Sequence, residues 1–514
     1  MGWSFMKSRW LTWGNKGLNA WSAIARRAQA AARELLGSLF YASPQGTRSW
    51  IGVGWYLGLY GLGLALWGYL LEWGQIPFGL HDWAHGTGHR LAFLQNAARG
   101  WNLPLHMPDG SALSNITDRF ISVPDTILSP QVLLLRYVDL ATFVVLNVAI
   151  LYSVGFLGLV MLSRKFRLSG FAFGVLFFLV LFNGHVTDHV VVGHLHWVGY
   201  YLLPFFVLLV FEALEAQPGW FWISKMGLLL FLVFLQGAFH LYAMSIMFLG
   251  FLALGTWRLL RPVASSIIAG LLLSLGRILP AALVAREFDN EFLSGFTSVG
   301  QLLASLVEIR LPTPEQALSH TPLSPLGWWE IDHFIGVLGL AFLVTFGLVL
   351  AARSRLRRRL LSELALPVGA MAFLSVGRVY KLINITGIPI LAGERVATRF
   401  FVFSVLFLLV LAAINLQDHL AESRPGTGRQ IGLLALLALV AHDLWQHIKL
   451  WRVRSIYGLF PKREVDLTGE FIANHADSPY ELALAVGWGV ALITLAILVV
   501  LTVAERGSSA RRLQ

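Results

Sequence analysis

A chain of 514 residues with 56% hydrophobic and 13% charged side chains has too little charge to coat a water-soluble globule of that size. Its net charge of +11 is scattered over the ends of apolar runs rather than gathered in one polar domain, which argues against nucleic acid as a partner and makes the basic residues topology signals. Cysteine is absent, so disulfides and thiol chemistry are excluded.

A hydrocarbon slab about 30 Å thick needs roughly 20 apolar residues per helix. Such runs recur from Trp50 to Ala504, continuous rather than alternating, so the fold class is an all-α polytopic membrane protein. The segment 1–48 carries Trp10, Trp13, Gly17, Trp21, Ile24, Ala28, Ala32, Leu35 and Leu39 at spacings of three and four, with Lys16, Arg26, Arg27 and Arg33 elsewhere on the wheel. This predicts a cytoplasmic amphipathic helix lying on an anionic membrane face; a partner-binding helix has the same pattern.

Twelve spans follow, near 50–71, 134–162, 168–183, 197–212, 221–236, 238–257, 263–284, 334–352, 364–377, 400–415, 431–449 and 482–504. The pair at 221–257 is also readable as one long kinked helix. Residues 49–415 are expected to form a transmembrane catalytic module and 416–514 a C-terminal transmembrane pair. Arg353, Arg355, Arg357, Arg358 and Arg359 form a short basic loop that belongs in the cytoplasm. That assignment predicts both termini inside the cytoplasmic (inner) membrane, with the long loops 72–133, 285–333, 378–399 and 450–481 all facing outward. Work on a lipid-borne substrate, or on a solute arriving from that side, suits such a layout.

The first long loop holds His81-Asp82-Trp83-Ala84-His85 about ten residues past the first span. Partial desolvation beside Trp83 is expected to raise the Asp82 pKa and suit it to general-base work. The same residue also reads as an N-cap, or as an ion-pair partner of Arg90 and Arg99. A second cluster, Asn183 to Trp197, crowds Asp188, His185, His189, His194 and His196 at a membrane boundary, where polar groups are costly unless used or paired. His81, His85 and His89 recur at four-residue spacing, which on one helical face can bind a divalent metal with Asp82 or Asp188 as a further ligand. Hydrogen bonding to backbone, lipid phosphate or substrate hydroxyls is the other use of such histidines, and no HExxH or DxD pattern accompanies them. Farther along, Trp328-Trp329-Glu330-Ile331-Asp332-His333 leads into the eighth span and Gly393-Glu394-Arg395-Val396-Ala397-Thr398-Arg399 into the tenth. Arg395 and Arg399, four apart, are expected to share a helical face and grip a phosphate or pyrophosphate, although snorkelling to the interface explains them almost as well. Arg277, inside the seventh span, is a suspicious buried cation, and Lys381 sits beside the ninth.

An acid in a long first outward loop, Gly-x-x-x-Pro-Leu at Gly100 to Leu105, Ser-Pro-x-x-Leu-Leu at Ser129 to Leu134, Asn-Gly…Gly-His at 183–194, Trp-Glu-x-Asp-x-x-x-Gly at 329–336 and Glu-Arg-Val-x-x-Arg-Phe at 394–400 together resemble membrane glycosyltransferases of the GT-C fold. Bacterial and archaeal proteins related to those that decorate teichoic acids are nearest in this respect. The resemblance implies a polyprenyl-phosphate-linked sugar as donor and an outer-face glycan, lipid or protein as acceptor. It also implies Asp82 as the base, Asp188 as an acid positioning acceptor or metal, and Arg395 and Arg399 as the lipid-phosphate site. His85, His189, His194, Glu330, Asp332, Glu394 and Lys381 are the further substrate-binding candidates. Histidine richness departs from that pattern and keeps a divalent metal in play. A multispan transporter or lipid flippase, which should show broken spans with polar residues at mid-membrane, and a histidine-rich metal-binding membrane oxidoreductase are the alternatives.

Overall fold

The computed structural model describes residues 36–41, 50–107, 117–285, 292–312, 326–353, 355–384, 394–465, 467 and 474–512. The amphipathic helix expected over 1–48 lies outside them apart from 36–41. Among the described residues the molecule is helical, with three isolated backbone bridges and no strand. A helix lies at each of the twelve expected positions. Seven are long and apolar enough to cross a bilayer alone: Leu140–Phe166, Gly170–Val191, Leu195–Glu215, Gly336–Arg353, Ala397–Ser423, Thr427–Trp451 and Ser478–Gly507. An eighth is counted if Trp257–Leu273 and Leu275–Val284, bent by 70° at Ser274, are one broken span.

Local chemistry sets the boundaries. Leu140–Phe166 starts where the Asp139 carboxylate accepts the Thr142 N–H, and it ends where Arg167 turns left-handed. Arg164 and Lys165 in its last turn favour the negative end of the helix dipole. Trp220–Leu235 and Phe239–Gly255 are two helices and not one kinked helix. The positive φ of Gly237 (+82°) reverses the chain between them. Their far ends both meet the end of Leu203–Glu215, where Trp222 Nε1 donates to Leu209 O (2.8 Å) and Arg258 donates to Ala213 O (3.1 Å) and Leu214 O (2.5 Å).

The bundle therefore has two unlike ends. One is built from short connections, tied by Lys165–Glu215 (2.5 Å) and by the Phe221 N–H on Glu505 (2.8 Å). The described parts of all four long loops gather at the other. There Arg119 pairs with Asp477 (2.6 Å), Arg452 with Glu72, Leu293 N–H bonds Arg395 O (2.9 Å) and Phe296 N–H bonds Ser375 O (2.9 Å). A single apolar core runs from Leu39 to Leu498, so the 416–514 segment is integrated with the rest. Arg277 is the strap of the bent span. It donates to the carbonyls of Phe234 (2.5 Å), Val123 (3.0 Å) and Pro124 (3.0 Å) and to Thr126 Oγ1 (2.9 Å), and its guanidinium lies 4.8 Å from the Phe234 ring centroid. A cation that would be costly alone is thus solvated by fixed dipoles, which hold 123–126 against the helices.

Candidate functional site

The helix Gly184–Val191 begins where the Asn183 side chain accepts the Val186 N–H (3.4 Å), and it stops at Gly193, whose φ is +107°. Glycine is needed there twice over. The left-handed turn disfavours other residues, and a Cβ would overlap the backbone of Asp82 and Trp83. The first loop is zipped onto this turn: Asp82 N–H donates to Val192 O (3.1 Å), Trp83 Nε1 to Val191 O (2.9 Å) and Thr87 Oγ1 to Gly193 O (2.7 Å). Trp83 is fully buried beneath. This zipper brings Asp82 to the His194 imidazole, which bonds the carboxylate through Nε2.

From that pair the network runs inward. His194 Nδ1 lies 4.0 Å from Glu330, and His189 Nε2 approaches Glu330 at 3.2 Å while its Nδ1 donates to His185 O (2.7 Å). Arg399 holds Glu330 with two bonds, Nε to Oε2 (2.8 Å) and Nη2 to Oε1 (2.7 Å), reaches Glu394 at 3.3 Å and lies 5.3 Å from the Trp197 ring centroid. His240 closes the far side on Glu394 at 2.8 Å. The Asp82 side chain, 29% exposed, is the open end of this chain; Glu330, Glu394 and Arg399 are buried.

The electrostatics differ from expectation. Burial pushes the Asp82 carboxyl upward, but His81, His194 and His85 outweigh it and hold the group below the ordinary carboxylate range. The raised pKa expected from desolvation is therefore corrected: Asp82 is an ionised carboxylate, not a protonated one. Burial likewise acts against ionised Glu330 and Glu394, yet Arg399 with His189 and His240 keeps both low. Asp125 stays low against burial because Arg90 sits 2.8 Å away. Asp82, Glu330 and Glu394 thus face one guanidinium, and the rest of their compensation comes from protonated imidazoles, whose protons a bound cation can replace. Ligand atoms of His81, Asp82 and His194, and of His189, His194 and Glu330, lie within 4.8 Å of one another, as a divalent metal requires.

A second cluster lies behind the first. His447 Nε2 sits 3.5 Å from Asp188 and 3.3 Å from Asp332, all three with no exposed side-chain surface. Trp328 Nε1 donates to Asp332 (2.8 Å), the Phe334 N–H donates to its other oxygen (2.6 Å), and Phe334 stacks on the His447 ring at 4.8 Å.

Several expectations change. Asp82 opens a helical turn but makes no side-chain cap bond, and Arg90 goes to Asp125, so neither alternative use of Asp82 holds. Asp188 and Asp332 are sealed away with His447 rather than facing Asp82. His81, His85 and His89 do not form one ligand set: the His81 ring meets Asp82 at 3.2 Å and lies 6.2 Å from the ring of His85, which is exposed beside Arg463, and among the described residues neither His85 nor His89 joins a group close enough to share a metal. Arg395 and Arg399 share no helical face either. Val396 between them is extended, and Arg399 is spent on two carboxylates, so the phosphate grip assigned to the pair is corrected. Lys381 lies exposed on Gly377–Asn384 and is not brought to the centre. His240 and His447 were not singled out in the sequence; both sit in apolar helices, where an ionisable group signals a partner. No protein-family model matches the chain and no curated protein matches it, so the reading of this centre rests on its own residues.

Proposed function

We propose that this is a membrane-embedded glycosyltransferase working at the long-loop end of the bundle, with a polyprenyl-phosphate-linked sugar as donor and a hydroxyl on the outer face as acceptor. The observation that carries the reading is one ionised, half-buried carboxylate, Asp82, at the most open end of an acid–imidazole network assembled from five distant segments. The acceptor oxygen bonds the anomeric carbon, the bond from that carbon to the phosphate oxygen breaks, and the acceptor proton passes to Asp82. A carboxylate held low is a weak base, so Asp82 orients the hydroxyl first and takes the proton late, as negative charge moves to the leaving phosphate. His194 fixes the carboxylate, and Glu330, gripped by Arg399, fixes His189.

Either of two trios, His81 with Asp82 and His194 or His189 with His194 and Glu330, fits a divalent cation by donor type and by the carboxylate it offers. Bound there, the ion supplies positive charge for a departing phosphate, the part that Arg399 is too committed to play. The test is sugar transfer from a radiolabelled polyprenyl-phosphate donor by purified protein, wild type against Asp82→Asn. Loss of transfer with an unchanged elution profile is expected; full activity in that variant would sink the mechanism.

A metal-dependent oxidoreductase is the second reading, favoured by the file of rings His81, His194, His196 and His240, successive centroids 6.3, 5.7 and 6.1 Å apart. Stoichiometric iron or copper in the purified protein, with a redox-dependent spectrum, would favour it over glycosyl transfer.

A further inference from the structure

Away from the centre, the first loop and the approach to the last span are laced together. Met107 N–H donates to Asp118 O (2.7 Å) and Phe120 N–H to Leu105 O (2.9 Å), forming a small antiparallel bridge between His106 and Arg119. Asn474 joins from the fourth loop, accepting the His106 N–H (3.3 Å) and donating to Leu103 O (3.1 Å). Tyr480 adds a third tie, its hydroxyl donating to Leu105 O (3.1 Å) and accepting the Ile121 N–H (3.0 Å).

Inside this lacing the His106 ring is fully buried, yet among the described residues neither of its nitrogens has a hydrogen-bond partner. Asp477, 3.8 Å from His106 Nε2, is committed to Arg119 through both oxygens (2.6 and 3.0 Å). Leaving an imidazole dry and unbonded is unfavourable, and a ligand at the ring would remove that cost. The ring faces His475, with centroids 3.9 Å apart, and His475 Nε2 lies 2.7 Å from the Asp118 carboxylate. One ligand atom from each of His106, Asp118 and His475 lies within 4.8 Å of the others.

We propose that His106, Asp118 and His475 form a zinc site that clamps the first loop to the start of the last span, distinct from the Asp82 centre. Two imidazoles and one carboxylate suit a borderline ion such as Zn2+ rather than Mg2+ or Ca2+, which prefer all-oxygen shells. Zinc bonds of about 2.0 Å place tetrahedral ligand atoms roughly 3.3 Å apart, so His475 and Asp118 need to separate by about half an ångström and to close on the His106 nitrogen, which lies within 4.8 Å of both. Both are free to do so, being 54% and 42% exposed. Solvent reaches the fourth position from that side, and Arg119 holds Asp477 as an outer neighbour that orients the cluster. The clamp secures the loop that carries Asp82, so it belongs to the scaffold and not to the reacting atoms.

The test uses the full chain in detergent, stripped with chelator and titrated with Zn2+, with Mg2+ and Ca2+ as controls. Wild type should take up a zinc equivalent that His475→Ala loses and that Asp118→Asn binds at least tenfold more weakly. Asp82→Asn should retain it, which separates this site from any ion at the centre. Because His475 is exposed, its alanine variant should elute and melt like the metal-free wild type, while zinc raises the Tm of wild type only. Cobalt substitution gives a further readout: visible d–d bands in wild type that disappear in His475→Ala. Equal zinc stoichiometry and affinity in wild type and His475→Ala, or no zinc uptake by wild type, would overturn the proposal.

Discussion

The two acid–imidazole clusters beside Gly184–Val191 are built from the same residue types and from neighbouring positions, yet one is sealed and the other open. Asp188 and His189 are consecutive, and Glu330 and Asp332 are two apart, so each chain segment sends one side chain to each cluster. His447 between Asp188 and Asp332 is sealed, with no exposed side-chain surface at any of the three. The Asp82 cluster has an exit, and its acids outnumber its one guanidinium. The sealed cluster sets two carboxylates on one imidazole and leaves Asp188 Oδ2 and His447 Nδ1 without a hydrogen-bond partner among the described residues, so it is no better matched than the open one; what the open one has in addition is a path for a substrate or an ion. Exposure, not residue identity or charge balance, separates the two clusters here.

The sharpest way to break this comparison is to remove the cation from each side. His447→Ala leaves two buried carboxylates facing each other, and Arg399→Ala strips Glu330 and Glu394 of their counterion. Each should cost on the order of 3–5 kcal/mol, read as a lower Tm in detergent. If Arg399→Ala instead melted like wild type and only bound donor more weakly, Arg399 would be a ligand-binding arginine and the matched-pair account would fail. Asp82→Asn should have the opposite profile, with transfer reduced about 10²–10⁴-fold and Tm little changed.

Proton uptake probes the open cluster next. Asp82, Glu330 and Glu394 are held below their unfolded values, so the stability they contribute is fully present above about pH 4.3 and is lost as pH falls through the acid range. Tm should stay flat from neutrality to about pH 5 and then drop. A decline already under way between pH 7 and 6 would mean that neutral imidazoles, which must take up protons there, hold the centre rather than carboxylate charge. Gly193→Ala should cost about 1–3 kcal/mol and disturb Asp82 by spreading the turn from Trp83, lowering activity as well as Tm. His85→Ala should be the smallest change, within about 0.5 kcal/mol, since that ring is exposed; a large loss of activity there would put His85 back among the substrate-binding residues.

The helix positions were legible because lipid leaves a helix one way to bury its backbone, and a continuous apolar run says where it does so. Asp82, His189, His194, Glu330, Glu394 and Arg399 were legible as candidates for a related reason: a polar group at a membrane boundary needs a partner. Pairing was not legible. Arg399 and Glu330 are 69 residues apart, and nothing in either segment says that the guanidinium is spent on that carboxylate rather than offered to a phosphate. Four-residue spacing suggested that His81, His85 and His89 act together, but His81 meets Asp82, and among the described residues neither His85 nor His89 joins a group close enough to share a metal. The raised pKa expected for Asp82 considered burial alone and missed the imidazoles brought from other loops.

Taken by itself, then, the amino-acid order determined the solvent, the helical class and the short roster of polar groups at the helix ends, because each of these follows from local hydrophobicity and from the cost of burying charge. Only the tertiary structure decided which acid meets which base, which cluster is closed, and that Asp188 is sealed while Asp82 stays accessible. Those outcomes depend on distances between segments hundreds of residues apart, and electrostatic energy is set by distance and surroundings rather than by order along the chain.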